Sequence, residues 1–265
     1  ATAFMLQALQ GESKEEDAAL QTKALEIPLA NGFPQVADDI MSKGGFQHFD
    51  KVHIAKLCEK HNVPSRALQL YTEKDDIKRV IVQTQQLTPE FLVQFFGTLD
   101  SPMQLECMEE LLTHNLKANM RLVATVAAKY SDSVGSKELT EMFKKHKADE
   151  GLFLYLSTLV NTTLDPEIHF GYIEAAAKSN NIVEVERMTR ESTCYDAERV
   201  RDLLMQLKLQ DPRPLINVCN AHNFIPELVR YFREQNQMKF IEQYALKVNV
   251  AAVPIVCGTL IDLQT

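Results

Sequence analysis

Two short units are the parts of this sequence best equipped for chemistry: Cys58-x-x-His61 and Cys219-x-x-His222. Residues three apart share a helix face, so each unit offers a thiol beside an imidazole. Together they would supply the four soft ligands of a structural zinc site. Their separation along the chain weighs against that. If the residues between them form stacked helical hairpins, with layers ~8–10 Å apart, the two units end up tens of ångströms apart. Each is therefore expected to be a small core cysteine followed by a polar helix-end histidine.

The pairs Asp38-Asp39 and Asp75-Asp76 are of the type that holds Mg²⁺ and diphosphate in all-α prenyl-transferring enzymes. That chemistry needs further carboxylates one turn on, where this chain has Ser42 and Arg79. Both pairs read instead as carboxylates near helix starts, favoured by the helix dipole. Lys144-Lys145-His146-Lys147, the one basic cluster, falls where a helix should end and suits the negative end of the dipole. His48, His53, His114, His146 and His169 share no ligand spacing. No P-loop, GxGxxG or GxSxG occurs, and Ser, His and acidic residues are too dispersed to nominate a triad. Phe91, Phe95, Phe96, Phe153 and Tyr155 lie on apolar stripes and are expected to be core rather than a base-stacking platform. No catalytic, cofactor-binding or metal-binding residue is assigned.

The elements that position these residues read as helices. In His53–Val82, Ile54, Leu57 and Cys58 form one i, i+3, i+4 stripe, and Ala67, Leu70 and Tyr71 a second. Ile77, Val80 and Ile81 form a third. Asn62-Val63-Pro64 and Lys74-Asp75-Asp76 break the pattern. Ser13-Lys14-Glu15-Glu16 is a capping box whose helix should carry Leu20, Ala24 and Leu25 and stop near Asn31-Gly32. Pro34 should open a helix bearing Val36 and Ile40 that Gly44-Gly45 ends. Thr88-Pro89, Ser101-Pro102, Asp165-Pro166 and Asp211-Pro212 each predict an N-cap followed by proline in the first turn.

Helical period recurs in Leu92/Phe95/Phe96/Leu99, Val123/Val126/Ala127/Tyr130 and Leu152/Tyr155/Leu156/Leu159. It recurs again in Val200/Leu203/Leu204/Leu207 and Ile225/Leu228/Val229/Phe232. No segment alternates with period two for long enough to read as a strand, and roughly sixteen to eighteen short helices are expected. The segment from Cys58 aligns with that from Cys219, and the segment from Tyr172 is a looser third copy with Ala177 in the cysteine position. Short helices that cannot stand alone, repeated along the chain, predict a stacked array. Residues 1–265 are read as one continuous helical-repeat segment.

Composition narrows the function classes. Hydrophobic content of 45% and charged content of 24% are those of an ordinary folded chain. A net charge of -8 and a pI near 5.4 argue against nucleic acid or an anionic membrane as the main partner. Five scattered cysteines without CxxC fit a reduced, intracellular setting. The run Val250–Ile261 contains Pro254 and is too short to span a bilayer. The chain, opening on Ala1-Thr-Ala-Phe without a signal peptide, reads as a piece of a longer cytosolic protein.

The sequence closely resembles the clathrin heavy-chain family. HIAKLCEK (53–60), DDIKR (75–79), PEFLVQFFGTL (89–99), EGLFLYLSTLVN (150–161), PEIHFGYIEAA (166–176), EVERMTRESTCYDAERV (184–200) and PLINVC (214–219) carry the resemblance, in collinear order over essentially the whole chain. It implies an all-α fold, an α-solenoid wound as a right-handed superhelix of short antiparallel helical hairpins. The part matched resembles the distal leg, between ankle and knee. The implied role is structural and non-enzymatic: a leg segment of the triskelion, packing with other clathrin heavy chains in the lattice of coated pits and vesicles. The implied location is their cytoplasmic face. The light chain would be bound only through regions outside this segment, as would adaptor peptides. No cofactor, nucleic acid or direct membrane insertion is implied. The alternative is a helical-repeat subunit of a vacuolar or lysosomal tethering complex.

Overall fold

A computed structural model describes residues 15–42 and 46–263. Among the described residues there are eighteen α-helices and no strand. By internal contacts the chain divides into two compact units, Ala1–Met142 and Phe143–Thr265.

The first unit holds α1 (Ala18–Ala30), α2 (Pro34–Ser42), α3 (Lys51–Lys60), α4 (Pro64–Leu70) and α5 (Lys74–Ile81). It continues with α6 (Pro89–Phe96), α7 (Ser101–His114), α8 (Leu116–Lys129) and α9 (Ser131–Val134). α10 (Ser136–Lys145) carries the boundary between the units. The second unit continues with α11 (Asp149–Leu159), α12 (Pro166–Lys178), α13 (Ile182–Glu191), α14 (Ala197–Leu207) and α15 (Arg213–Ala221). It ends with α16 (Ile225–Glu234), α17 (Met238–Gln243) and α18 (Val253–Asp262).

Packing is local in sequence, as an α-solenoid requires. α1 packs on α2 and α3, and α3 on α4; in the second unit α12 packs on α11, α13 and α14, and α15 on α13, α14 and α16. The stripes anticipated from periodicity supply the core: Ile54, Cys58, Val80, Ile81, Phe96, Val123, Val126, Ala127, Tyr155, Val200, Val229 and Phe232 are all essentially inaccessible. Several stripe ends lie half-buried instead, namely Leu57, Leu70, Leu99, Tyr130, Leu159, Leu203 and Leu207. In α3 the inward face turns toward Ala55, which is fully buried. In α2 it runs through Ala37 and Ile40, leaving Val36 40% exposed.

Helix starts follow the anticipated chemistry with two shifts of one residue. Thr88 caps α6 by accepting from the Phe91 amide, and Asp165 caps α12 by accepting from the Glu167 amide. Before α7 the cap is Asp100, accepting from the Met103 amide, so Ser101 is already helical. α15 starts at Arg213, with Asp211 accepting from the Arg213 amide and guanidinium. α1 begins after a 3₁₀ turn at Glu15–Asp17; Ser13 and Gly44-Gly45 lie outside the described residues.

Among the described residues one turn recurs six times. In each, a residue with positive φ follows a helix, and the next amide donates back to the carbonyl five residues earlier. The left-handed residues are Gly32, Asn62, Lys147, Asn180, Asn223 and Asn236. The bonds are Phe33 to Pro28, Val63 to Cys58, Ala148 to Phe143, Asn181 to Ala176, Phe224 to Cys219 and Gln237 to Phe232, at 2.7–2.9 Å. In all six the next helix starts two residues after the left-handed one. Two orphan carbonyls of the helix end are usually satisfied in such a turn. The repetition seen in the sequence is therefore a repetition of this turn, and it corrects the third copy's register: Ala176, not Ala177, stands opposite Cys58 and Cys219.

Two substitutions test the packing. Ile54→Glu, which buries a charge, is expected to cost more than ~3 kcal/mol and unfold its unit, whereas Leu57→Glu costs under ~1.5 kcal/mol; thermal unfolding followed by circular dichroism reads both. At the turn, Asn180→Val forces a β-branched residue into left-handed backbone and is expected to lose ~1–2 kcal/mol, while Asn180→Gly is neutral or stabilising. Equal melting of the two Asn180 variants would contradict the role given to the turn.

Candidate functional site

The residues with chemical potential are absorbed into packing. Cys58 is fully buried on α3, and burial pushes its thiol up to about 11. Cys219 is equally buried on α15, and burial takes its thiol to about 12. Each therefore holds its proton, the opposite of a metal-ligating thiolate. His61 closes α3, its amide donating to the Leu57 carbonyl at 3.0 Å. His222 lies edge-on to Tyr195 and stacked on Phe224, at ring separations of 5.9 and 6.1 Å. Among the described residues no group of three or more His, Cys, Asp or Glu is placed to hold a metal ion.

Asp75 and Asp76 occupy the first turn of α5, and Asp76 accepts from Arg79 at 2.5 Å. Asp38-Asp39 departs from its expected place: it lies in the second turn of α2, where Asp38 pairs with Arg66 from α4. The carboxylate ties two helices rather than capping one. Phe95, Phe96 and Tyr155 are buried, while Phe91 and Phe153 are half-buried; Phe153 stacks on Tyr172 at 5.2 Å.

Lys144 and Lys145 fall in the last turn of α10 and Lys147 forms the left-handed turn. Lys144 also reaches Glu174 on α12 at 2.9 Å, where Lys178 approaches at 2.8 Å. Burial works to raise the Glu174 carboxyl, but the two lysines outweigh it and hold it below its usual range.

Three polar ties escape sequence reasoning because each includes a partner distant in the chain. His169 is 5% exposed. Its Nε2 lies 2.9 Å from the Thr163 carbonyl, which can only accept, so Nε2 donates and Nδ1 accepts from the Ser192 hydroxyl at 3.1 Å. The Ser192 hydroxyl in turn accepts from the Cys194 amide. A Ser–His pair is thus a clamp between the loop before α12 and the loop after α13, with the serine proton committed to an imidazole that has no carboxylate behind it. Glu59 accepts from the Tyr71 hydroxyl and from Arg79. Glu184 likewise accepts from Tyr172 and Arg187. Arg187 first, with Tyr172, holds the Glu184 carboxyl low against its partial burial.

Among the described residues, several large apolar side chains are exposed toward the end of the second unit (Leu246, Val248, Val250, Ile255, Ile261 and Leu263), while Phe33, Leu164 and Val183 are exposed elsewhere. No single helix among the described residues is long and apolar enough to cross a membrane. Met238–Val248 with Val250–Asp262 passes by length and composition only as a pair bent by 119°.

The family described as "Region in Clathrin and VPS" matches residues 1–120 and again 127–265. Clathrin heavy chain 2 of Oryza sativa subsp. japonica is 47% identical over 262 residues, covering 99% of this chain and 15% of the relative. The clathrin heavy chain of Drosophila melanogaster is 46% identical over 263 residues, 99% of this chain and 16% of that one. Clathrin heavy chain 2 of Homo sapiens is 43% identical over 263 residues, with the same shares. The chain spans about 15–16% of the length of these relatives.

The Glu174 pair yields a pH prediction. A depressed folded-state pKa gives stability that is present above the unfolded value and lost as pH falls through the folded one. Wild type is expected to exceed Glu174→Gln by ~1 kcal/mol at pH 7, with the difference vanishing below the ordinary carboxylate range near 4.5. A difference in melting that stays constant from pH 7 to 3 would refute the pairing.

Proposed function

The chain belongs to the clathrin heavy-chain family, and from that premise we propose that it is a distal-leg segment whose stacked hairpins form one continuous spar. The collinear likeness over 99% of the chain to heavy chains of plant, insect and human carries this reading. The family's two matched regions meet around residues 121–126, inside α8, and the two compact units meet inside α10. Neither break coincides with a linker, which supports a continuous array. The exposed apolar residues of the last hairpin are of the kind a further hairpin covers in a repeat protein.

In this reading the segment has a mechanical role. Its outward faces make many weak contacts with other heavy chains in the lattice of coated pits and vesicles, on their cytoplasmic side. Light chain and adaptors engage other parts of the heavy chain. Exposed ion pairs of the kind that line these helices contribute little each, which suits a coat that must come apart. The tethering-complex alternative shares the repeat type, but the likeness to heavy chains through the whole segment favours the coat.

The test places four exposed reversals, Lys56→Glu, Lys117→Glu, Glu198→Lys and Glu234→Lys, in the full-length heavy chain. With melting unchanged, the concentration needed for cage assembly is expected to rise about fivefold, ~1 kcal/mol of contact energy. Cages that assemble normally would count against lattice packing through this segment.

A further inference from the structure

The turn between α1 and α2 differs from the other five in one respect. Its left-handed residue is Gly32, so the residue before it, Asn31, is followed by glycine. Every other asparagine of the chain precedes a residue with a side chain. Asn31 and Gly32 are both exposed, and nothing lies within 4 Å of the place where a Gly32 Cβ would stand. In an Asn-Gly pair the glycine amide nitrogen can approach the asparagine Cγ, because no side chain shields it and the glycine backbone turns freely.

The closed turn restrains that approach. The Asn31 Nδ2 donates to the Ile27 carbonyl at 2.7 Å, and the Gly32 amide donates to the Leu29 carbonyl at 3.2 Å. Electrophile and nucleophile are each tied to α1, and they meet when its last turn opens. The sequence makes that opening easy. Pro28 lies inside α1 and has no amide to give to the Ala24 carbonyl, so the end of the helix lacks one of its bonds. Helix ends fray at a small fraction of the global unfolding free energy.

We propose that Asn31 is a site of spontaneous deamidation, and that the change unfastens the first hairpin irreversibly. With the turn open, the Gly32 amide gives its proton to hydroxide and its nitrogen bonds to the Asn31 Cγ. The Cγ–Nδ2 bond breaks, and the nitrogen leaves as ammonia with a proton from water. A second water opens the cyclic imide: cleavage at Cγ leaves an aspartyl residue, cleavage at the backbone carbonyl an isoaspartyl one. The aspartyl product loses the donor to Ile27 and sets a carboxylate at the negative end of α1. The isoaspartyl product adds a methylene to the main chain, so the 2.8 Å bond from Phe33 to Pro28 loses its register. α1, which packs on α2 and α3, then loses the turn that aims it. Deamidation here depends on the turn alone, whatever the chain assembles with.

The test ages the 265-residue chain in mildly alkaline buffer and follows its tryptic peptides by mass spectrometry. Residues 24–43 form one such peptide, with Asn31 its sole asparagine. It is expected to gain about one dalton at least ten times faster than any other peptide, and to be labelled by isoaspartyl methyltransferase. The aged chain should melt about 2–4 °C below the fresh one. Gly32→Asn puts in the left-handed position the residue that four of the other turns use. It should leave the melting of the fresh chain unchanged and slow the gain at least tenfold. An earlier gain in another peptide would overturn the proposal, as would equal ageing of the Gly32→Asn chain. So would a chain that stays unmodified while the synthetic 24–43 peptide converts fully, because the turn would then shield Asn31 completely. Modification at Asn31 with unchanged melting would overturn the unfastening of the hairpin.

Discussion

The fold depends on how each short helix is made to turn back. A helix of seven residues such as α4, or even fourteen such as α7, is marginal by itself in water. It persists only if its apolar stripe meets a neighbour at once. The recurrent turn arranges that encounter: one residue in the left-handed region, one amide returned to a carbonyl five residues back, and a new helix two residues on. The chain has only 9 glycines, so four of the six positions go to asparagine, which tolerates that conformation best among residues with a side chain. Side-chain burial then follows from backbone geometry, since the turn fixes which faces of consecutive helices oppose each other.

Polar residues inside the stack obey the same locality. Gln104 donates to the Phe96 and Leu99 carbonyls, satisfying the end of α6 from α7, and the Asn119 side-chain Nδ2 donates to the Leu111 carbonyl. The Tyr130 hydroxyl donates to the Val93 carbonyl at 2.7 Å, a close approach that a side chain at Gly97 would obstruct. His169 with Ser192 does the same between loops. Each tie joins neighbouring elements, and each answers a backbone or side-chain group that burial would otherwise leave unpaired.

Much of this was legible beforehand. Helical period located the inward faces of α5, α6, α8, α11 and α16, and proline after a polar residue located helix starts to within one residue. The failures have physical causes. Leu57 and Val36 continue a period of 3.6, yet the stripe is wider than the contact it makes, so Leu57 is left half-buried and Val36 exposed. Asp100 outcompetes Ser101 as a cap because a carboxylate accepts more strongly at the positive end of a helix. The turn at Lys147 was invisible because lysine carries no sign of left-handed backbone, and the third repeat slipped by one because Ala175, Ala176 and Ala177 are interchangeable until the hydrogen bond selects Ala176. Asp38 with Arg66 and Glu174 with Lys144 were out of reach, each joining residues about thirty positions apart.

The same physics removes the chemistry that the sequence seemed to offer. A thiol becomes a ligand or nucleophile by losing its proton, and the low-dielectric interior that gives Cys58, Cys107 and Cys219 their packing role raises their pKa values to about 11, 12 and 12. The Ser192–His169 pair has a hydroxyl and an imidazole in contact, but His169 spends its one proton on the Thr163 carbonyl, so no charged third group orients it as a base. Side chains recruited to hold adjacent layers are thereby unavailable for turnover. What remains free lies on the outward faces of the helices. In a protein built of repeated layers, these faces are the surfaces on which recognition can act without disturbing the stack.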